Sequence, residues 1–112
     1  MRAFLNGKEG DVLDVAKDAD LTINCQLMED DGGQHDLSTA TLALVVYSRA
    51  DRNVAPSATH AGTVDVAADG KAHFTIADTA MNYGPGTYYA FVVRTLSGAI
   101  VVARKPTIIR VG

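Results

Sequence analysis

The chain has 112 residues, with 10 Lys and Arg against 13 Asp and Glu, one cysteine and no tryptophan. A chain of this length buries roughly two-thirds of its unfolded surface, which predicts one core and a single domain over residues 1–112. The net charge of −3 argues against nucleic acid and membrane surfaces as partners, because such binders carry basic patches.

The kinds of residue favour an all-β fold. Eleven of the acidic residues are Asp and only two are Glu, while Val, Ile and Thr together occupy 27 positions. Asp collects in turns and caps, whereas side chains branched at Cβ suit a pleated strand. The composition therefore predicts strands joined by turns rich in Asp and Gly.

The first segment, residues 1–10, carries Phe4 and Leu5 in an otherwise polar stretch. It is either an extended arm that orders on contact with a partner or the first strand of the domain. It lacks the apolar core of a signal peptide, so we expect synthesis in the cytoplasm without export by the secretory route. The longest apolar runs are also far below the roughly 18 residues that span a bilayer.

The clearest strand is Leu21–Met28, where apolar and polar residues alternate with a period of two. Residues 29–33 are rich in Asp and Gly and predict a turn. Thr41–Ser48 follows as a nearly continuous apolar run, which is typical of a central strand. Arg49 to Ser57 reads as a loop.

A hairpin is predicted in the middle of the chain. His60–Val66 and Lys71–Ile76 flank the pair Asp69-Gly70, which is a strong turn signal. Residues 78–86 are broken by Gly and Pro and predict a crossover connection, and Thr87–Thr95 is the longest and most aromatic strand.

The C-terminal part predicts two further strands. Ser97-Gly98 turns the chain into Ala99–Arg104, and Pro106 precedes Thr107–Val111. Because proline cannot donate to a ladder, the last strand should lie at an edge or begin at a bend. The total of about seven or eight strands, with no recurring helix pattern, is typical of a β-sandwich or small barrel.

The residues that carry chemistry favour a protein without catalytic activity. Cys25 lies on the apolar face of its predicted strand, where we expect an inert core thiol. No Gly-x-Ser-x-Gly elbow is present, and Gly84-Pro85-Gly86 lacks the Lys and Ser or Thr of a phosphate loop. We therefore expect no enzyme and no cofactor.

Metal binding is not expected either. The acids of residues 29–31 are adjacent, with His35-Asp36 just beyond, and neighbouring residues of an extended chain converge poorly on one ion. His35, His60 and His73 stand too far apart to form a zinc pair. We interpret the acidic segment as a solvated turn.

Four aromatic residues, Tyr83, Tyr88, Tyr89 and Phe91, lie close together in the sequence. They could form a stacking platform for a sugar or for single-stranded nucleic acid. In a strand, Tyr89 and Phe91 share one face and Tyr88 lies on the other. At least one face must be core, so an aromatic core with one surface tyrosine is the favoured interpretation.

Two segments resemble an immunoglobulin domain. The segment Gly86-Thr-Tyr88-Tyr-Ala90 is similar to the Gly-x-Tyr-x-Cys signature of strand F, and Cys25 is similar to the cysteine of strand B. The resemblance places Tyr88 at the tyrosine corner and Ala90 at the second cysteine. It implies an immunoglobulin-like antiparallel β-sandwich without a disulfide, which suits a reducing compartment.

A wider resemblance is to the immunoglobulin-like domains of tailed-phage virion proteins, such as baseplate upper proteins, head fibres and decoration proteins. The matching pieces are Gly10-Asp11, the stretch from Gln26 through Asp36-Leu-Ser-Thr-Ala40, Asp78-Thr79 and the strand F segment. Departures from that family are Ser38-Thr39 in place of Thr-Gly and the lack of a proline in the loop before Asp36. The sequence given also lacks the long C-terminal region of baseplate upper proteins.

This resemblance implies a virion structural protein, and we expect a capsid decoration or cement protein that binds the major capsid protein on the outside of the shell. Many copies of the chain would bind the shell together and act by avidity. Its edge strands would be available to pair with a strand of a partner or of a second copy, which would give homo-oligomers. Two alternatives stay open. One is a tail, baseplate or head-fibre adaptor, and the other is a carbohydrate- or cell-surface-binding module that uses the region of Tyr83 and Tyr89.

Overall fold

The structure, a computed structural model, describes residues 1–16, 20–33, 37–77 and 84–112. The described residues form nine strands, one 3-10 turn at Ala67–Asp69 and no α-helix. None of them belongs to a helix long and apolar enough to cross a membrane. The strands are β1 Arg2–Leu5, β2 Val12–Val15, β3 Leu21–Met28, β4 Thr41–Tyr47, β5 Ala58–Val66, β6 Lys71–Ile76, β7 Gly86–Leu96, β8 Ala99–Val102 and β9 Thr107–Val111.

The strands form one strongly curled sheet whose order is β1-β3-β6-β5-β4-β7-β9-β2, with β8 on the side of β7. The curl gives two layers. The first layer holds β1, β3, β6 and the second half of β5, and the second layer holds the first half of β5 with β4, β7, β8, β9 and β2. The strand order within the layers is that of an immunoglobulin-like sandwich, which confirms the predicted fold class.

Two details of that prediction need correction. The sandwich has nine strands, because β2 at Val12–Val15 carries no clear strand signal in the sequence. Its four residues include Asp14, which is disfavoured in strands. The sandwich is also not wholly antiparallel, since β2 runs parallel to β9. At the N-terminus, Arg2–Leu5 forms β1 and pairs with β3.

Most predicted strand bounds match the structure closely. The ranges of β3, β6 and β9 are those read from the sequence, and β4 is one residue shorter. The predicted hairpin is present, with Gly70 in the left-handed conformation at a φ of 68°. The predicted crossover over residues 78–86 lies largely outside the described residues.

The last two strands lie side by side along β7 with an interruption between them. Ala90 pairs with Thr107 in β9 and Val93 pairs with Val102 in β8, so three steps along β7 correspond to five steps along the C-terminal segment. Pro106 lies in this two-residue insertion, where no ladder N–H is needed. Of the two predicted possibilities, an edge position or a bend, the structure has the bend, at residues 104–105. Strand β9 itself is not at an edge, since it lies between β7 and β2.

Strand β5 turns the corner between the layers. Its first half pairs with β4 and its second half, from Gly62, pairs with β6. A Cβ atom at Gly62 would lie 2.7 Å from Cε1 of Phe74 and 3.1 Å from Cβ of Leu42. The backbone can therefore pass over the Phe74 ring only without a side chain.

The inward residues of both layers form one core. Alternate residues of β3, β4 and β7 point into it, in accord with the period of two of a strand. Full burial of each large aliphatic or aromatic side chain contributes about 1.5–3 kcal/mol. The largest fully buried side chains are Phe74, Leu5, Ile23, Leu27, Leu37, Leu44, Ile76, Ile109, Val46 and Val92.

The tyrosine corner expected from the resemblance is present. The hydroxyl of Tyr88 donates a hydrogen bond to the carbonyl oxygen of Gly84 at 3.0 Å, four residues upstream. The ring is 8 % exposed, and Cys25 and Ala90 are both buried in the same core. With no second cysteine in the chain, packing alone occupies the place of the inter-sheet disulfide.

One carboxylate joins the two ends of the described chain. Glu9 accepts hydrogen bonds from Arg2 and Arg104, two from each guanidinium, over 3.2–3.4 Å. Its side chain is 8 % exposed. The guanidinium of Arg104, together with that of Arg2, lowers the pKa of Glu9 from 4.5 to about 2, against a smaller opposing effect of desolvation.

Gly62→Ala is expected to lower the free energy of unfolding by about 1–3 kcal/mol, because the added methyl group must displace Phe74 or Leu42. Urea unfolding followed by circular dichroism measures the change. Ala61→Ser, on the exposed neighbouring position, should change stability much less. Equal stability of Gly62→Ala and the wild type would contradict the close approach at this corner.

Glu9→Gln is expected to destabilise the protein by about 1–2 kcal/mol at neutral pH, a figure reduced for the solvent exposure of both arginines. Since the folded pKa of Glu9 lies below its unfolded value, its contribution is complete above pH 4.5 and is lost as the pH falls towards 2. The variant should lose less stability than the wild type over that acid range. Parallel pH profiles for Glu9→Gln and wild type would count against the bridge.

Candidate interaction surface

The outer faces of the two layers differ in chemistry. On the first layer the outward positions of β3 are polar, with Thr22, Asn24 and Gln26, and those of β6 are similar. In the second layer the outward positions in the middle of β4 and β7 are apolar as well as the inward ones, although both strands carry outward threonines towards their ends. A sheet with one solvated face alternates between apolar and polar residues. The second layer therefore has the composition of a sheet that is covered on both sides.

These outward residues form a continuous surface, which we call the apolar face. Tyr47, Tyr89, Ile108 and Val12 are cross-strand neighbours in one row over four strands. Directly opposed residues of a sheet point to the same side and contact each other. The apolar face consists of Val12, Ala43, Val45, Tyr47, Tyr89, Phe91, Val93, Ile100, Val102 and Ile108.

The apolar face is partly accessible to solvent. Ile100 is 67 % exposed and Val12 is 40 % exposed, which are among the highest values for large apolar side chains in the described residues. Tyr47, Tyr89 and Val93 are half-buried by their neighbours. Contiguous apolar surface of this kind marks interaction sites in soluble proteins.

Phe91 is the exception within this face, because it is 6 % exposed. The guanidinium of Arg52 lies 4.9 Å from its ring centroid, and the Tyr47 ring meets it edge-on at 5.9 Å and 78°. Part of loop 49–57 thus folds back over the face. As predicted, Tyr89 and Phe91 share one side of β7 and Tyr88 lies in the core; Tyr83 lies outside the described residues.

Charged residues at one end of the apolar face are paired. Arg110 donates two hydrogen bonds to Asp14 at 2.7 and 2.8 Å, and Arg49 donates one to Asp51 at 2.7 Å. The guanidinium of Arg110 lowers the pKa of Asp14. An apolar centre with a polar edge is the usual anatomy of a protein interface.

Cys25, His60 and His73 lie at separate places in the structure. Cys25 is a buried free thiol, and desolvation raises its pKa to about 12, so the predicted core thiol is confirmed. His60 points inward with its Nε2 atom unbonded among the described residues, and burial lowers its pKa. His73 lies on the outer face of the first layer beside Asp65, at 2.8 Å.

The acidic segment forms an exposed turn. The amide of Gly32 donates to the carbonyl of Glu29 at 3.0 Å, and the side chain of Asp31 accepts from Gly33 at 2.9 Å. No three His, Cys, Asp or Glu side chains cluster as metal ligands within residues 1–16, 20–33, 37–77 and 84–112. His35 and Asp36 lie outside the described residues.

The apolar face is the functional candidate that the sequence analysis did not single out. The sequence signal for this face was that apolar and polar residues do not alternate along β4 and β7. A central position in the sheet explains that pattern only in part. Both strands are indeed central. Central position accounts for hydrogen bonding on both edges, but it does not account for apolar residues on the outward face.

Comparison with known proteins gives no family assignment. No protein-family model matches the chain, and no curated protein has significant sequence similarity to it.

Cys25 is expected to resist alkylation in the folded protein. Both its burial and its raised pKa keep the thiolate from forming. Iodoacetamide at pH 8, followed by intact-mass measurement, should leave the native chain unmodified and add one group after denaturation. Rapid modification of the native protein would show that strand β3 opens or that the thiol is accessible.

Proposed function

We propose that the chain is a non-enzymatic structural protein of a tailed-phage virion, most specifically a capsid decoration protein that binds the outer capsid lattice through the apolar face. The observation that carries the proposal is the apolar face on the outer side of the second layer, next to the apolar core on its inner side. A folded domain that presents such a sheet needs a partner surface to cover it.

The shape of the apolar face favours a protein partner. It extends over β2, β9, β7 and β4 in a row that includes two tyrosines, Tyr47 and Tyr89. Tyrosine is enriched at the energetic centres of interfaces, because it combines a large apolar area with a polar tip. A face four strands wide suits the roughly 800 Å² per partner of a standard protein interface.

The assignment to a virion draws on the sequence resemblance to phage immunoglobulin-like domains. The strand order and the hydrogen bond from Tyr88 to Gly84 support the immunoglobulin-like part of that resemblance. A disulfide-free sandwich suits a protein that folds in a host cytoplasm before assembly. The apolar face gives such a protein a means of attachment.

Attachment in many copies would make modest single-site affinity sufficient. Each bound copy that bridges neighbouring capsid subunits raises the effective concentration for the next contact. Strand β8 adds a second mode, since within the described residues it pairs only with β7 and leaves its other edge, at the exposed Ile100, available for strand addition. The same edge would serve homo-oligomers.

Tyr89→Ala and Val12→Lys are each expected to weaken binding to capsid shells at least tenfold, because one removes an aromatic anchor and the other places a charge in the apolar face. Co-sedimentation with shells assembled from the major capsid protein of the same genome measures the effect. Thr22→Lys, on the outer face of the first layer, is the matched control and should bind as the wild type does.

Circular dichroism of each variant separates lost binding from lost folding. Wild-type binding by both folded face variants would overturn the role of the apolar face. Lack of binding by the wild type to shells, with binding to purified tails or baseplates, would favour the adaptor alternative. For a glycan module centred on Tyr89, a saturable change in tyrosine fluorescence with a soluble glycan is expected instead.

A further inference from the structure

A second feature lies on the opposite side of the molecule from the apolar face. It is a groove of about 290 Å³ on the outer face of the first layer. Its walls include Phe4 from β1, Asn24 and Gln26 from β3, Asp65 from β5 and Lys71 from β6. Backbone of the ladder between β3 and β6 forms its floor, at Cys25 and Ala72.

The groove exists because its central side chain lies flat. Phe4, Gln26 and Lys71 are cross-strand neighbours in one row, so upright side chains would fill the space between them. The amide of Gln26 instead donates hydrogen bonds to the backbone carbonyls of Leu27 and Asp69. Gly7, in the tight turn after β1, adds no side chain to the rim.

The groups on the walls combine one apolar surface with donors and acceptors of hydrogen bonds. Phe4 supplies a ring, and the guanidinium of Arg2 lies 5.1 Å from its centroid. The carboxylate of Asp65 is held in place by Nδ1 of His73, at 2.8 and 2.9 Å from its two oxygens. Within the part of the chain that the structure describes, the side-chain amide of Asn24 and the ammonium of Lys71 make no hydrogen bond or ion pair.

We infer that this groove binds one pyranose ring of an uncharged saccharide. A pyranose has an apolar C–H face that packs on an aromatic ring, and its hydroxyl groups both donate and accept. Asp65 accepts, Lys71 donates, and the amide of Asn24 does both. The opposite charges of Asp65 and Lys71 leave the groove without a net charge to select an ionic ligand.

Size agrees with this ligand class. The groove volume is at the low end of the range for small-molecule pockets, roughly 300–1,000 Å³. It therefore suits a ligand of about a dozen non-hydrogen atoms, which corresponds to a dissociation constant on the order of 1 mM for an open site. Such a site is useful on a protein displayed in many copies, where avidity multiplies weak contacts.

Two-dimensional amide NMR of the labelled full chain tests the site. Methyl glycosides of glucose, galactose, mannose and N-acetylglucosamine are titrated separately. At least one should produce saturable shifts of the amides of Phe4, Asn24 and Lys71, with a dissociation constant on the order of 1 mM. Asn24→Ala and Asp65→Ala should each weaken this binding at least tenfold, whereas Thr63→Ala, on the same layer outside the groove, should leave it unchanged.

Several results would overturn the inference. These are the absence of saturable shifts with all four glycosides, equal binding by the folded Asn24→Ala and Asp65→Ala variants, or saturable shifts at these residues with free amino acids but not with glycosides. The apolar face lies on the other layer, so the groove variants and Thr22→Lys can be tested for capsid binding separately from saccharide binding. A failure to bind saccharide would therefore not count against capsid binding, and a failure to bind capsid shells would not count against the saccharide site.

Discussion

The close approach of the β5 backbone to the ring of Phe74 is the constraint on which the two-layer structure depends. Only glycine at position 62 leaves room for both Phe74 and Leu42. At this point β5 changes its partner from β4 to β6, and the curled sheet closes over a single core. A wider separation would open the corner and expose the large side chains that meet inside it, at a cost similar to that of creating a cavity.

The two layers that result have different outer faces. The first carries Asn24, Gln26 and Lys71 in a polar surface with a shallow groove, and the second carries the apolar face. Because both share one core, the difference cannot come from folding requirements, which concern the inward residues alone. The proposed function attributes it to what each outer face would meet, a protein surface on the second layer and, on the first, solvent and the saccharide proposed for the groove.

Much of the fold could be predicted from local sequence, because local rules govern those elements. Strict alternation gave the bounds of β3, and the Ser97-Gly98 turn follows from the left-handed conformation that both residues adopt. Asn6-Gly7 carries the same turn signal, with φ values of 52° and 87°, and it would have favoured a strand at Arg2–Leu5 over an arm.

Features that depend on distant parts of the chain could not be read in this way. Strand β2 exists because β9 offers it a parallel edge, and nothing within Val12–Val15 specifies that partner. The groove likewise depends on Gln26 reaching the carbonyl of Asp69, 43 residues away in the sequence. The apolar face was visible in the residue pattern, but its interpretation required knowing which side of β4 and β7 was already covered by the core.

A cryo-electron microscopy map of capsid shells incubated with the protein is the decisive experiment, since it shows at once whether the chain binds and by which face. We expect ordered density on the outside of the shell, with Tyr47, Tyr89 and Ile108 of the second layer buried against the capsid protein and the first layer facing solvent. Shells without added density, or density attached through the polar outer face of the first layer, would contradict this expectation.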